Sequence, residues 1–192
     1  MLFRLTYAGP LLGSSNGNSR ASHKHDIRKV FHRQLRALWE THVQLKNHVG
    51  QGENLHGSPA YLATQFAQNG YKFVPLVYEA GYVYSRIEIL MLRRGNKQSI
   101  VQNGDIDGRL KTLFDALRMP SSLDELAGHQ PANDEDPFYC LLEDDNLVTK
   151  ASIESDYLLE PVEECDSQNQ VRLFITVEVK QSLLRGGGYG SL

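Results

Sequence analysis

The sequence predicts an α+β fold, a small mixed β-sheet flanked by a long N-terminal amphipathic helix and by a second helix that carries an acidic motif. Three observations predict it. Apolar residues recur at three- and four-residue steps from Ser22 to about Lys46. Short alternating or β-branched runs begin and end the chain, "MLFRLTY" and "VRLFITVEV". Between them "NGDIDGRLKTLFDALRMP" sets two aspartates, one residue apart, at the start of a helical pattern.

In chain order, Met1 to Tyr7 reads as a strand closed by Gly9 and Pro10, and "GPLLGSSNGNSRAS" (9–22) as a loop without the spacing of a phosphate-binding P-loop. Ser22 is the expected N-cap of the long helix, whose apolar face is Ile27, Val30, Phe31, Leu35, Leu38, Trp39, Val43 and Leu45. Gly50, Gly52 and Gly57 open an irregular stretch, so residues about 50–70 read as an inserted loop with a short helix from Pro59 to Gly70. Tyr71–Val77 is an expected edge strand, because Pro75 cannot donate to a ladder, and Tyr82–Met91 carries the strongest strand signal. Leu110, Leu113, Phe114 and Leu117 make one stripe of a helix over Asp107–Leu117. Residues 119–139 read as an inserted surface loop. Leu147–Leu158 and Val171–Val179 are the remaining strands, and residues 181–192, rich in glycine, a mobile tail. The whole reads as one domain over residues 1–180.

Length and composition bound the function. A chain of 192 residues with 41% apolar content suits one folded domain. Arg4 interrupts the only apolar N-terminal run, which falls far short of the roughly 20 residues of a membrane span. No signal peptide is evident, and Cys140 and Cys165 lack zinc or CxxC spacing, so the expectation is a cytoplasmic protein that does not engage a membrane. A net charge of −3 argues against coating nucleic acid by bulk charge. The charges are polarised nonetheless. Residues 20–50 carry Arg20, Lys24, Arg28, Lys29, Arg33, Arg36 and Lys46 against Asp26 and Glu40, whereas residues 124–166 hold fourteen acidic side chains and Lys150 alone among cations. His23, His25 and His32 cluster in the basic segment, but without metal-ligand spacing they are expected at the surface.

The acidic motif carries the chemistry. Asp107 is expected at or next to the N-cap, and Asp107, Lys111 and Asp115 at four-residue spacing form a polar stripe, which capping and charge pairing explain. They leave Asp105 idle. In an extended approach to the cap, Asp105 points to the same side as Asp107, and two neighbouring carboxylates repel unless a cation joins them. Mg²⁺ or Mn²⁺ takes oxygen ligands in that arrangement and commonly a third carboxylate from another segment. Glu143, Asp144 and Asp145 in "LLEDDNLVTK" offer one, and Lys111 a cation for a phosphate oxygen or an attacking water.

These residues resemble the signature of the RusA-type Holliday junction resolvases: Asp105 and Asp107 leading into a helix, Lys111 four residues on, "DAL" at Asp115–Leu117, then Asp144 and Asp145 opening a strand as "NLV". The likeness spans about 45 residues, and the element order is similar, including a C-terminal β-ribbon. It implies a metal-dependent endodeoxyribonuclease that cleaves branched DNA, a four-way junction, as a homodimer. Asp105, Asp107 and Asp145 would bind Mg²⁺ or Mn²⁺ and Lys111 would be the catalytic cation. Arg20, Lys24, Arg28, Lys29, Arg33, Arg93, Arg94 and Arg109 are the candidates for phosphate contact. Three features depart from the pattern. Gly108 stands where the family has Asn, the 119–139 connection is long, and the part before Tyr71 matches in order only. A RusA-fold nucleic-acid-binding or protein-interaction module with impaired catalysis is the alternative, and an acidic protein with a Ca²⁺-stabilised turn a further one.

Overall fold

The structure, a computed structural model, describes residues 1–13, 20–93, 105–159 and 169–181, without the side chain of Asp105. It is α+β, but the strands divide between two mixed sheets rather than one.

Alternation builds the larger sheet. Strand β1 (Leu2–Pro10) buries Leu5 and Tyr7 and exposes Arg4 and Thr6. It pairs antiparallel with the last strand, β7 (Gln170–Gln181), Leu5 opposite Ile175. β7 pairs antiparallel with β4 (Val83–Arg93), Ile87 opposite Val177, and β4 pairs parallel with β6 (Val148–Tyr157). The strand order β1-β7-β4-β6 inserts β4 between the last two strands of the chain. Among the described residues the last two strands, β6 and β7, are therefore not paired with each other as the expected C-terminal β-ribbon. The opposite face of this sheet is laced with ion pairs such as Lys150–Glu88 at 3.0 Å.

The smaller sheet, β2 (Ala67–Gln68), β3 (Tyr71–Val77) and β5 (Phe138–Leu142), pairs β3 and β5 in parallel. Every residue of β5 is buried, so it is an unbroken apolar run rather than an alternating one. β2 covers only Tyr71 and Lys72 of β3, which leaves Pro75, opposite Cys140, beyond its reach. Residues 119–139 form a long connection, exposed over much of its length but anchored in the core. Short 3₁₀ turns at Leu123–Leu126 and Asn133–Glu135 fold them inward, and Leu126 packs with Tyr71, Phe73, Phe138 and Cys140.

The long helix α1 runs Ala21–Thr41, and His42 leaves it in an extended conformation, so Val43 is exposed instead of continuing the apolar face. Arg20, not Ser22, occupies the N-cap position. α1 buries two adjoining rows. Ile27, Phe31 and Leu35 form one; Ala21, His25, Arg28, His32, Leu35 and Trp39 form the other, at alternating four- and three-residue steps. Both rows are needed because α1 packs on β1, on β5, on the turn at Leu123–Leu126 and on a third helix. The short helix α2 (Pro59–Gln65) starts with Ser58 Oγ accepting from the Tyr61 amide at 3.1 Å.

The third helix, α3 (Asp105–Leu117), buries Leu113, Ala116 and Leu117. It begins two residues before the expected start, and Asp105 lies within it. Buried polar groups join its C-terminal end to α1. The Arg28 guanidinium, 1% exposed, donates to the carbonyls of Asp115 (2.8 Å) and Arg118 (3.3 Å). These are carbonyls that the last turn of a helix leaves without intrahelical partners, at the negative end of its dipole. The Asp115 carboxylate meets Lys24 at 2.7 Å and Arg118 at 3.3 Å. Arg118 in turn meets Glu125 at 2.9 Å. Met119 N–H then donates to the Leu142 carbonyl, fastening the end of α3 to the end of β5.

His25 and His32 belong to this interior rather than to the surface. His32 Nδ1 accepts from the Tyr139 amide at 2.8 Å and Nε2 lies 3.0 Å from the Asp134 carbonyl, a pairing that needs a neutral ring protonated on Nε2. Burial lowers its pKa, with Asp134 and Glu135 acting in the other direction. Burial, then the charges of Arg28 and Lys29, pushes His25 down to about 3. Its unfolded value is 6.5, so at neutral pH neither state binds the proton, and below about pH 6.5 the unfolded state binds one that the folded state refuses. Stability measured by urea unfolding falls as pH drops from about 6.5 toward 3, by up to about 1.4 kcal/mol per pH unit from His25, and His32 acts in the same direction. In His25→Gln the fall is shallower; an unchanged slope would show that His25 does not remain neutral.

Candidate functional site

α3 presents the acidic motif on a fixed scaffold. Arg109, in its second turn and 6% exposed, donates to the Leu11 carbonyl at 2.7 Å and to Asn169 Oδ1 at 3.1 Å. Leu11 N–H donates to the Asn169 carbonyl at 2.8 Å, so this anchor sits where β1 ends and β7 approaches. With Arg28 at the other end, α3 is pinned at both termini by buried guanidinium groups. Asp107 and Lys111 are exposed on its solvent side. Four residues apart, they lie on neighbouring turns of one face, within range of a shared ligand. Gly108 between them leaves its carbonyl to accept from Thr112 Oγ1 at 3.1 Å.

The structure distributes the remaining candidates. The backbone at Asp105 is helical rather than extended, and residues two apart on a helix do not share a face, so the strand geometry expected for Asp105 and Asp107 does not apply. Asp145 is exposed and opens a 3₁₀ turn, Asp145–Leu147, which Asp144 caps by accepting from the Asn146 amide at 3.0 Å. It follows Leu142 by three residues, and Leu142 bridges Arg118, so its backbone is tethered to the C-terminal end of α3. Burial depresses Arg118, but the Glu125 hydrogen bond and the charges of Glu125, Asp115 and Asp145 outweigh it and raise its pKa. Asp107 stands in the first turn, about 16 Å away along the helix axis at 1.5 Å per residue. Carboxylate oxygens are the donors Mg²⁺ and Mn²⁺ take. Among the described residues, no three His, Cys, Asp or Glu side chains gather into a group that could hold a metal ion.

Asp115, expected on the solvent stripe, faces α1 and is buried in the pairing with Lys24 and Arg118. Glu143 turns toward the β3–β4 connection, where its Oε2 accepts from the Glu79 amide at 2.8 Å.

The expected phosphate contacts also divide. Arg28 and Arg109 are corrected to structural groups, because their donors are spent on buried carbonyls and an amide oxygen. Lys24 is held by Asp115, and Lys29 meets Glu135 at 3.5 Å. Arg33 is exposed, Arg20 and Arg93 are half-buried, and Arg94 lies outside the described residues. The row of α1 that contains Arg28 was readable as a helical stripe, since Ala21, His25, Arg28, His32, Leu35 and Trp39 keep a seven-residue repeat; counting only apolar residues hid it.

No protein family model, no curated protein and no solved structure matches this chain. No helix among the described residues is long and apolar enough to cross a membrane.

Arg28→Met, which keeps the side-chain volume and removes the donors, costs about 3 kcal/mol of folding stability because it orphans buried carbonyls and leaves the ion pairs around them unbalanced. Arg33→Ala, at an exposed position, changes stability by less than about 0.5 kcal/mol. Urea unfolding of the two variants checks the contrast, and equal effects would contradict the structural role given to Arg28.

Proposed function

We propose that the chain is a metal-dependent endodeoxyribonuclease acting on branched DNA, with a four-way junction as the expected substrate and a homodimer as the working form, in keeping with its resemblance to the RusA-type resolvases. The observation that carries this reading is the placement of Asp107 and Lys111, four residues apart, on the exposed face of a helix pinned at both ends. Catalysis depends on charges held in place before the substrate arrives, and a clamped helix supplies that rigidity. Lys111 neutralises charge on a phosphate oxygen, and the Asp107 carboxylate is the hard-oxygen donor on this face, with Asp105 and Asp145 the further carboxylates that the resemblance implies. A bound Mg²⁺ or Mn²⁺ would supply a water of lowered pKa as the nucleophile. Arg33 and Arg20 on α1 are the cations left for backbone contact, so binding weakens as salt rises.

A second reading rests on a specific observation. Asp145 is tethered by the far end of α3, and Gly108 stands where the family has an orienting Asn. Both favour a RusA-fold module that binds nucleic acid or a protein partner without cutting.

Incubation of a synthetic four-way junction with the protein and Mg²⁺ or Mn²⁺ separates the two. The nuclease reading expects paired nicks on opposed strands, abolished in Asp107→Asn and slowed about a hundredfold or more in Lys111→Ala. Asp145→Asn tests whether that residue takes part. Junction binding without cleavage by the wild type and by Asp107→Asn alike would reject the enzyme and leave the module.

A further inference from the structure

A groove of about 470 Å³ lies between α2 and the β3–β4 connection, lined by Tyr61, Phe66, Tyr78, Glu79, Tyr82 and Glu143 among others; Asp107, Lys111 and Asp145 take no part in it. We propose that this groove is a recognition site for an organic cation, the guanidinium of an arginine side chain presented by a protein partner.

Three features point there. The first is the chemistry of the lining, aromatic faces beside carboxylates. The negative faces of aromatic rings attract cations, and a guanidinium can stack on a ring while its fork engages a carboxylate. The same carboxylates repel the phosphates of a nucleic acid, so a base-stacking role does not suit this surface.

The second is that the groove is built. Tyr78 stands edge-on to Phe66 at 6.2 Å between centroids. Its ring lies so close to the following turn that a Cβ at Gly81 would come within 2.7 Å of it, and a Cβ at Gly57 within 3.2 Å of its hydroxyl. A side chain at Gly81 would push the ring out of place, and one at Gly57 would crowd its hydroxyl. Glu143 is held as well: its own amide donates to the Val77 carbonyl at 2.9 Å, and its Oε2 accepts from the Glu79 amide at 2.8 Å. The second carboxylate oxygen keeps lone pairs for a ligand.

The third is Tyr82. It is 52% exposed, yet its backbone is left-handed, at φ 53° and ψ 37°, a conformation that ends helical turns and ordinarily falls to glycine or asparagine. A bulky residue there is strained. The left-handed backbone sets the Tyr82 ring at the rim of the aromatic and acidic groove, where a ligand can meet it.

NMR titration of the protein with a capped peptide containing one arginine tests the assignment, read at the Glu79 amide and the tyrosine rings. The expected result is a saturable shift there, absent for the same peptide with citrulline in place of arginine. Tyr82→Asn and Glu143→Gln should each weaken binding about fivefold or more. Asparagine accepts left-handed backbone readily, so Tyr82→Asn keeps or raises thermal stability while binding falls. A drop in its stability would show that the ring serves packing and would overturn the proposal. So would equal response to the citrulline peptide, no saturable shift in the wild type, or a response at these residues to a single-stranded oligothymidine instead of the arginine peptide.

Discussion

Two buried guanidinium groups hold α3 in place, and most of the architecture follows from that constraint. A guanidinium is never cheap to bury; it is tolerated where carbonyl and carboxylate oxygens surround it. Arg28 meets the condition on the carbonyls at the C-terminal end of α3, which carry the negative pole of the helix, and burial still leaves it charged with a pKa of about 10. Arg109 meets it on Leu11 and Asn169, where the first and last strands come together. The helix is thereby oriented against both sheets at once, one end at the β1–β7 seam and the other at the end of β5. An uncharged residue at either position would remove a buried anchor that fixes the axial position of the helix, which apolar packing, fixing only a face, does not replace.

The orientation decides which polar groups reach solvent. Asp115, one turn from the C-terminal end, is drawn into the α1 joint with Lys24 and Arg118, whereas Asp107 and Lys111 project outward. A motif that reads in sequence as one acidic ladder is thus split into a structural half and an exposed half. The same holds for the basic segment. Arg28, Lys24 and Lys29 are engaged within the fold, so the positive charge of residues 20–50 is smaller at the surface than on paper. The acidic run behaves likewise. Glu143 closes on the Glu79 amide beside the aromatic groove, Asp144 caps a turn, and Asp145 alone of the three faces solvent without a fixed task in the fold's own hydrogen bonding.

Much of this was legible in the residues. β1, β4, β7, α1 and α3 carry periodicities that a pleated or helical surface imposes when one face is buried. β5 was not, because "FYCLL" is buried on both faces and five residues of unbroken apolar sequence have no period to read. Without β5 the second sheet was invisible, and so was the anchoring of the 119–139 connection to it through Leu126. The interruption of β6 and β7 by β4 is a long-range pairing choice that no local pattern encodes. Asp107 and Lys111 were legible as exposed neighbours, but the direction of Asp115 was not, since its burial depends on Lys24, about ninety positions earlier, which the fold brings alongside. The histidines mislead for a related reason: His25 and His32 look polar, yet neutral imidazoles with both nitrogens engaged are acceptable core residues.

The nuclease reading requires that the first turns of α3 form a divalent-metal face. Paramagnetic broadening of amide resonances by Mn²⁺ addresses it most directly. The expected result is saturable broadening centred on Asp105 to Lys111, removed by Asp107→Asn and competed by Mg²⁺. Broadening confined to the Glu143–Asp145 run, or spread over the acidic surface without saturation, would contradict it.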